Sequence, residues 1–429
     1  MSASRRAAIL STGDEVLTGQ IVDSNAAWLA ERMGELGFEV VRHETVGDDR
    51  GELERAFREL GAAVSVVLCT GGLGPTVDDL TSEIAARVLG CGFTLDPKAL
   101  AYMEGLWRSR GREMPENNKK QAMIPALADV LDNPVGTAPG FAARIVDAQF
   151  FFMPGVPREM KRMFDEQVTP RLHANFPAPH VFSVRVLRCF GLTESALDRK
   201  LGDFGARFPH VKLGFRAHFP EIQIKLTGQG DGAEAVAAAL DEAAAEVRAR
   251  VGDRVFSEGA PMEQVVGEAM RRVEATVTTA ESCTGGLVAE LITNVPGASA
   301  YFKRGYVVYA NEAKTDLLGV SPELLAEHGA VSEACARAMA EGARARAGAT
   351  FAAALTGVAG PDGGTAEKPV GTVWIAVAGP SGTVVQQLSW PGDRAMVRGL
   401  SAMVALDLLR RAATGLPTSE AVELGRRRS

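Results

Sequence analysis

The segment Thr279-Ala280-Glu281-Ser282-Cys283-Thr284-Gly285-Gly286 sets a hydroxyl and a thiol between two hydrophobic rhythms. Residues 275–279 favour a strand, and Leu287, Val288, Leu291 and Ile292 recur at helical spacing. Ser282 therefore falls at a strand's carboxyl end, beside backbone N–H groups that open a helix. Such a site can hold an anion or stabilise an oxyanion during attack on an acyl group. Serine and threonine also cap ordinary helices, so the local pattern leaves catalysis and capping both open.

Three further motifs carry residues suited to that chemistry, each near a strand end, where open α/β sheets place ligands. Tyr306-Val307-Val308-Tyr309-Ala310-Asn311-Glu312-Ala313-Lys314 offers Lys314, a general base if burial keeps its amine partly neutral. Position alone reads it as a surface lysine at a helix start. The loop from Thr356-Gly357 to Gly364 is glycine-rich, as a phosphate-approaching backbone or a plain turn would be. Arg394 and Arg398 lie one helical turn apart, on one side, and could clamp a phosphate or be solvated. Cys283 is a second nucleophile in type, but no histidine is near it in sequence, and a packed thiol is the simpler reading.

A separate candidate lies near the N-terminus, at Cys69-Thr70-Gly71-Gly72-Leu73-Gly74-Pro75-Thr76-Val77-Asp78-Asp79. It follows a strand and precedes a helix, so Gly71, Gly72, Gly74 and Thr76 could meet a phosphate at a helix start. Asp78 and Asp79 could serve a hard cation such as Mg²⁺, or merely cap the helix.

The elements that must position these groups read as follows. Strands are expected over 7–10, 38–43 and 64–69, with helices over 24–36, 51–60 and 79–89; this alternation signals parallel βαβ units. Strands over 181–190, 211–215 and 221–226, with helices over 194–201 and 233–251, suggest a small α+β module. Alternation resumes with helices over 262–274, 333–346 and 394–413 and strands over 306–310, 352–356 and 370–378. The chain has 429 residues, about three domains at roughly 150 residues each. Hydrophobic residues at 46% and charged residues at 23% mark a globular composition.

The net charge of −7 argues against a broad nucleic-acid surface, and Arg426-Arg427-Arg428 is expected to be a solvated tail. Five scattered cysteines without CxxC spacing argue for a reducing compartment and against a disulfide framework. No secretory leader and no membrane span are expected, and the expected location is the cytoplasm.

Taken together, TTAESCTGG, YANEAK, HGAVS, LTGVAGPDGG, EKPVGTVW and PGDR resemble, over about residues 262–415, the competence- and damage-inducible protein family, CinA. The C-terminal domain of that family also occurs alone as nicotinamide-nucleotide amidase. The resemblance implies hydrolysis of the carboxamide of nicotinamide mononucleotide (NMN) to nicotinate mononucleotide and ammonia, without a cofactor. The residues at hand then permit Ser282 as nucleophile, Lys314 as proton carrier and the N–H groups of Thr284, Gly285 and Gly286 as oxyanion donors. Tyr309 would tune Lys314 or touch the ring, and Thr356, Gly357, Arg394 and Arg398 would contact ribose or phosphate.

Residues 5 to about 170 resemble the molybdopterin-binding fold of molybdenum-cofactor biosynthesis proteins. The likeness rests on the glycine loop, Ser11-Thr12-Gly13-Asp14-Glu15, Asn133-Pro134-Val135-Gly136-Thr137-Ala138-Pro139-Gly140 and Met153-Pro154-Gly155-Val156-Pro157-Arg158-Glu159-Met160. Leu73 stands where those proteins usually carry threonine, which matches the CinA branch. There the implied activity is ADP-ribose pyrophosphatase with a divalent metal (Mg²⁺, Mn²⁺ or Co²⁺), accompanied by K⁺. Asp14, Glu15, Asp78 and Asp79 are the candidate ligands.

The middle segment resembles a KH-type linker, but its turn, Phe190-Gly191-Leu192-Thr193-Glu194, lacks the second glycine of the nucleic-acid clamp. A spacer or dimerisation role is expected over RNA binding. The resulting expectation is an α/β chain of two Rossmann-like three-layer αβα domains (1–172 and 260–415) joined by a KH-type α+β module (178–256). A homodimer is the implied assembly. The rival readings are an amidase with a vestigial nucleotide- or pterin-binding first domain, and a non-enzymatic adaptor in competence or DNA damage.

Overall fold

The computed structural model describes residues 5–177 and 181–418, so the arginine triplet 426–428 lies outside the described residues. By contacts the described residues form two compact units. One runs to Ser183 and includes Gln229–Val236; the other comprises Val184–Gly228 and the chain from Ala237 onward.

The first unit contains strands β1 (Arg6–Thr12), β2 (Glu39–Val46), β3 (Val66–Thr70), β4 (Phe93–Leu95), β5 (Met123–Pro125), β6 (Asp129–Leu131), β7 (Gly140–Ile145) and β8 (Ala148–Met153). Its helices are α1 (Asp14–Leu17), α2 (Ser24–Glu35), α3 (Arg50–Ala63), α4 (Thr81–Leu89), α5 (Pro97–Ser109), α6 (Pro157–Met163) and α7 (Thr169–Asn175). The main sheet has the order β2-β1-β3-β8-β7-β6. Its first four strands are parallel, but β7 and β6 run antiparallel, a hairpin ending that the βαβ reading did not anticipate.

Alternation explains why both faces are covered. Ala8, Leu10, Val67, Cys69, Phe150 and Phe152 point into one apolar cluster. Ala7, Ile9, Val66, Leu68, Phe151 and Met153 point into the other. A strand buried on both sides loses its polar alternation, and β3, Val-Val-Leu-Cys-Thr, is fully buried and apolar up to its last residue.

Most of the next sheet belongs to the second unit; it has four strands in the order β10-β11-β9-β12, built from β9 (Val181–Cys189), β10 (Val211–His218), β11 (Glu221–Gly230) and β12 (Val255–Glu258). With it come helices α8 (Glu194–Leu201), α9 (Phe204–Arg207) and α10 (Ala233–Val251). This is the expected β-α-β-β-α module with one further strand.

The remainder holds β13 (Val277–Glu281), β14 (Phe302–Val307), β15 (Phe351–Gly357), β16 (Thr372–Gly379) and β17 (Gly382–Ser389). Its helices are α11 (Met262–Arg272), α12 (Leu287–Thr293), α13 (Asn311–Leu318), α14 (Pro322–His328), α15 (Glu333–Ala347) and α16 (Arg394–Thr414). The sheet order is β14-β13-β15-β16-β17, with the first three strands parallel and the last two antiparallel. Small residues Ala352, Ala354, Ala376 and Ala378 share a cluster with Ala336, Met339, Ala340 and Ala343 of α15, so that helix lies close on one face. The other face shares its core with Val397, Leu400 and Val404 of α16.

Two expectations shift here. The strand expected over 306–310 ends at Val307, because the next two carbonyls turn out of the sheet. Strand β17 was missed; its Thr-Val-Val-Gln-Gln run has no strict alternation of apolar and polar residues. In each large sheet one strand, β1 or β13, lies between its two successors. The chain therefore departs to opposite sides there, and the carboxyl ends of these strands open a crevice. Among the described residues, no helix is long and apolar enough to cross a membrane.

Candidate active site

Ser282 follows β13 directly and is fastened on both flanks. Its N–H donates to Leu355 of β15 at 2.9 Å, while Val308 N–H donates to Glu281 O at 2.8 Å. These bonds hold the serine in the crevice between the neighbouring strand ends.

Lys314 is not a surface lysine. It is 1% exposed in α13. Its Nζ lies 3.3 Å from Ser282 Oγ, 2.8 Å from Val308 O and 3.1 Å from Tyr309 O. Burial lowers its pKa from the ordinary lysine value. The two carbonyls can only accept, so a neutral amine would give them both of its N–H groups. Its lone pair is then left for the Ser282 hydroxyl proton. That is the arrangement a general base requires.

The start of α12 is used differently from expectation. Glu281, 0% exposed, accepts the N–H groups of Gly286 at 3.1 Å, Val288 at 3.0 Å and Ala289 at 2.9 Å. Gly285 N–H donates to Ser282 O at 3.1 Å. Gly285 and Gly286 are therefore not oxyanion donors: a helix start attracts an anion, and the protein's own carboxylate already holds it. Among the described residues no backbone carbonyl accepts from the N–H groups of Cys283 and Thr284, and the Cys283 N–H faces its own sulfur. Of the expected donors, only the Thr284 N–H stays uncommitted to a backbone carbonyl, with Cys283 N–H as a further candidate.

Several other expected roles move. Tyr309 is 62% exposed, and its hydroxyl meets Arg394 at 3.3 Å; its backbone carbonyl, not its ring, touches Lys314. Thr356 is buried and donates its hydroxyl to Ala330 O at 2.7 Å, so it braces a loop. A Cβ at Gly357 would lie 2.6 Å from Thr372 O, which explains that glycine by strand packing. Arg394 also donates to Gly360 O at 2.8 Å, and Arg398 grips Thr284 O through Nε at 3.3 Å and Nη2 at 2.7 Å. Both arginines thus reach the rim of the Ser282 site. Burial pushes the Cys283 thiol up to about 12, so it stays protonated and packed.

In the first unit a cleft of about 610 Å³ opens at the carboxyl ends of β1 and β3. Gly71, Gly72, Gly74, Thr76, Glu15, Asp48, Asp78 and Asp79 line it. The four expected carboxylates do not form one ligand set. Among the described residues, no three His, Cys, Asp or Glu side chains group closely enough to hold a metal ion.

The reasons are local. Asp79 accepts from Thr76 N–H at 2.8 Å and closes its own loop, and a Cβ at Gly74 would displace that carboxylate. Asp14 accepts from Asp48 N–H at 3.1 Å, and Asp48 accepts from Asp14 N–H at 3.2 Å. Asp48, missed in the sequence, has its carboxyl pKa raised by burial and by the charges of Asp14, Glu15 and Asp78. Glu15, Asp48 and Asp78 line the cleft separately, so a cation there would have to take its shell from phosphate and water, as Mg²⁺ readily does. They do not cage one.

Glu281 is the main functional residue without an assigned role in the sequence reading. Its signal was an acid at the last position of a buried strand, a few residues before a helix.

Three family models match the chain: CinA C-terminal domain on residues 259–413, "Probable molybdopterin binding domain" on 8–174, and Damage-inducible protein CinA KH domain on 184–257. A CinA-like protein of Anaeromyxobacter sp. (strain Fw109-5) is 48% identical over 408 residues, covering 94% of this chain and 98% of that one. A CinA-like protein of Desulfosudis oleivorans is 45% identical over 409 residues, covering 94% and 99%. Among solved structures, the competence/damage inducible protein CihA of Agrobacterium tumefaciens is 41% identical, covering 36% of this chain and 95% of that chain, with a TM-score of 0.35.

Proposed function

The chain belongs to the CinA family, and on that premise we propose that its second unit is a Ser–Lys amidohydrolase that deamidates NMN. The observation that carries the reading is the buried Lys314 amine, 3.3 Å from Ser282 Oγ and bound by two carbonyls.

Ser282 Oγ attacks the carboxamide carbon as Lys314 takes its proton. The C–O bond forms and the carbonyl becomes an oxyanion facing Cys283 and Thr284 N–H. Lys314 then protonates the amide nitrogen, the C–N bond breaks and ammonia leaves. A water, deprotonated by the same amine, cleaves the acyl-serine to the carboxylate. Arg394, at the exposed rim, would contact the substrate phosphate, while Arg398 holds the Thr284 carbonyl.

In the first unit the proposed reaction is hydrolysis of ADP-ribose to AMP and ribose 5-phosphate. A divalent ion carried by the diphosphate and water would neutralise its charge, with Glu15, Asp48 and Asp78 in the cleft wall. The ungrouped carboxylates favour a second reading for that unit alone, a site that binds nucleotide without cleaving it. A homodimer in the cytoplasm, with NMN and ADP-ribose as ligands and no nucleic acid, completes the proposal.

The test is release of ammonia and nicotinate mononucleotide from NMN by the purified chain in EDTA, beside Ser282→Ala and Lys314→Met. Activity lost in both folded variants supports the reading. A folded but inactive wild type sinks it, and a Ser282→Ala variant that stays active moves the nucleophile to Cys283.

A further inference from the structure

Helix α16 carries Arg394 and Arg398 at its start, and the middle module grips this helix at two levels. Near the start, the β10–β11 hairpin turns at Phe219-Pro220, with His218 paired to Glu221. The Phe219 ring lies on Gly399: a Cβ there would stand 2.8 Å from ring Cε1 and 3.1 Å from Cζ. Any side chain at 399 would have to push this half-exposed ring aside. The hairpin is braced from behind, since buried Glu221 accepts from Arg188 of β9 at 2.5 Å.

Farther along, Asp253 follows α10. Its carboxylate accepts from Arg411 at 2.6 Å and its carbonyl from Arg410 at 3.1 Å. Asp407 takes the remaining charge, accepting from Arg410 Nη2 at 2.6 Å and Arg411 Nε at 2.7 Å. Gly399 and Arg410 are eleven positions apart, roughly 16 Å along a helix. Between the two levels Phe190 and Phe256 of the module share the apolar cluster of Val397, Leu400 and Met403.

We infer that the middle module is a positioning element of the amidase, seating α16 through Phe219 and Asp253 so that Arg398 holds Thr284 in register. The path is short. Phe219 sits on Gly399, Arg398 is the preceding residue, and its guanidinium holds the Thr284 carbonyl at 2.7 Å. Thr284 N–H is one of the two proposed oxyanion donors. A spacer needs neither a ring seated on a glycine nor a buried ion cluster across the joint.

This inference rests on the amidase reading, and its test separates the two. In the full-length chain, Phe219→Ala should lower kcat on NMN roughly fivefold, the size of one modest weakening of transition-state stabilisation. KM should stay within about twofold, because the oxyanion donor acts only on the transition state. The alkaline rise of the pH–rate profile should not move, since Lys314 is untouched. Phe219→Leu should restore most of kcat, and amide exchange over residues 394–401 should quicken in Phe219→Ala and Asp253→Asn. A folded Phe219→Ala with kcat and exchange both unchanged overturns the inference. If the wild type does not act on NMN, the amidase reading fails by itself. Exchange then decides the seating alone: unchanged protection in both variants refutes it, faster exchange supports it.

Discussion

The carboxylate of Glu281 accepts the N–H of Gly286 at 3.1 Å, and in doing so takes the helix start that would otherwise face the substrate. The proposed oxyanion donors are therefore the N–H groups of Cys283 and Thr284, not those of the glycines. Glu281→Gln keeps the shape but replaces one acceptor oxygen with an NH₂ that opposes backbone N–H groups. The expected loss is roughly 3 kcal/mol of stability, from a buried charge-assisted network left half satisfied. Urea unfolding of the variant beside wild type measures it, and an unchanged midpoint would remove Glu281 from this role.

Lys314 should set the pH dependence of the reaction. Burial lowers its pKa, and the neutral amine is the active form, so kcat should rise with pH and then level. Stability carries the same sign. A lysine with a lowered folded pKa disfavours the fold most below that pKa, and the penalty fades as pH climbs to the ordinary value of about 10.4. Lys314→Met should abolish turnover. Its stability relative to wild type should be most favourable near neutrality and fall as the buffer is made alkaline. A constant difference from pH 6 to 9 would show that Lys314 titrates normally.

The two arginines should separate by kinetic parameter. Arg398 touches Thr284 twice, so Arg398→Ala should act mainly on kcat, by about tenfold or more. Arg394 reaches Gly360 O and the Tyr309 hydroxyl at the exposed rim, so Arg394→Ala should act mainly on KM for the phosphorylated substrate. Comparing NMN with the unphosphorylated riboside is the check, because Arg394→Ala should leave the riboside unaffected.

In the first unit, Asp48 and Asp79 should behave oppositely. Asp48→Asn removes a cleft carboxylate from a crowded acidic neighbourhood, and it should weaken Mn²⁺ activation of ADP-ribose cleavage. Asp79→Asn loosens the loop around Thr76, so it should cost about 1 kcal/mol of stability while leaving the metal dependence in place. Equal metal dependence in both variants would remove Asp48 from the metal's surroundings, and no AMP from ADP-ribose with the wild type would favour the non-cleaving reading.

Much of the architecture was legible because local periodicity and burial agree. The helices over 194–201 and 233–251 begin and end where their sequence patterns do. The buried run ending at Cys69 could only be an interior strand. Where antiparallel pairing replaced the parallel pattern, as at β16–β17, partner choice depends on a distant strand and leaves little trace in a short window. At the sites, sequence alone determined that Ser282 stands at a strand end before a glycine turn, with Lys314 near a following helix start. Only the tertiary structure decided what those groups face. Lys314 is buried because two carbonyls leave the sheet toward it; the helix amides go to Glu281, Thr356 turns to Ala330, and Asp79 turns to its own loop. Each outcome depends on which distant acceptor lies within about 3 Å of a donor, and sequence spacing does not encode that distance.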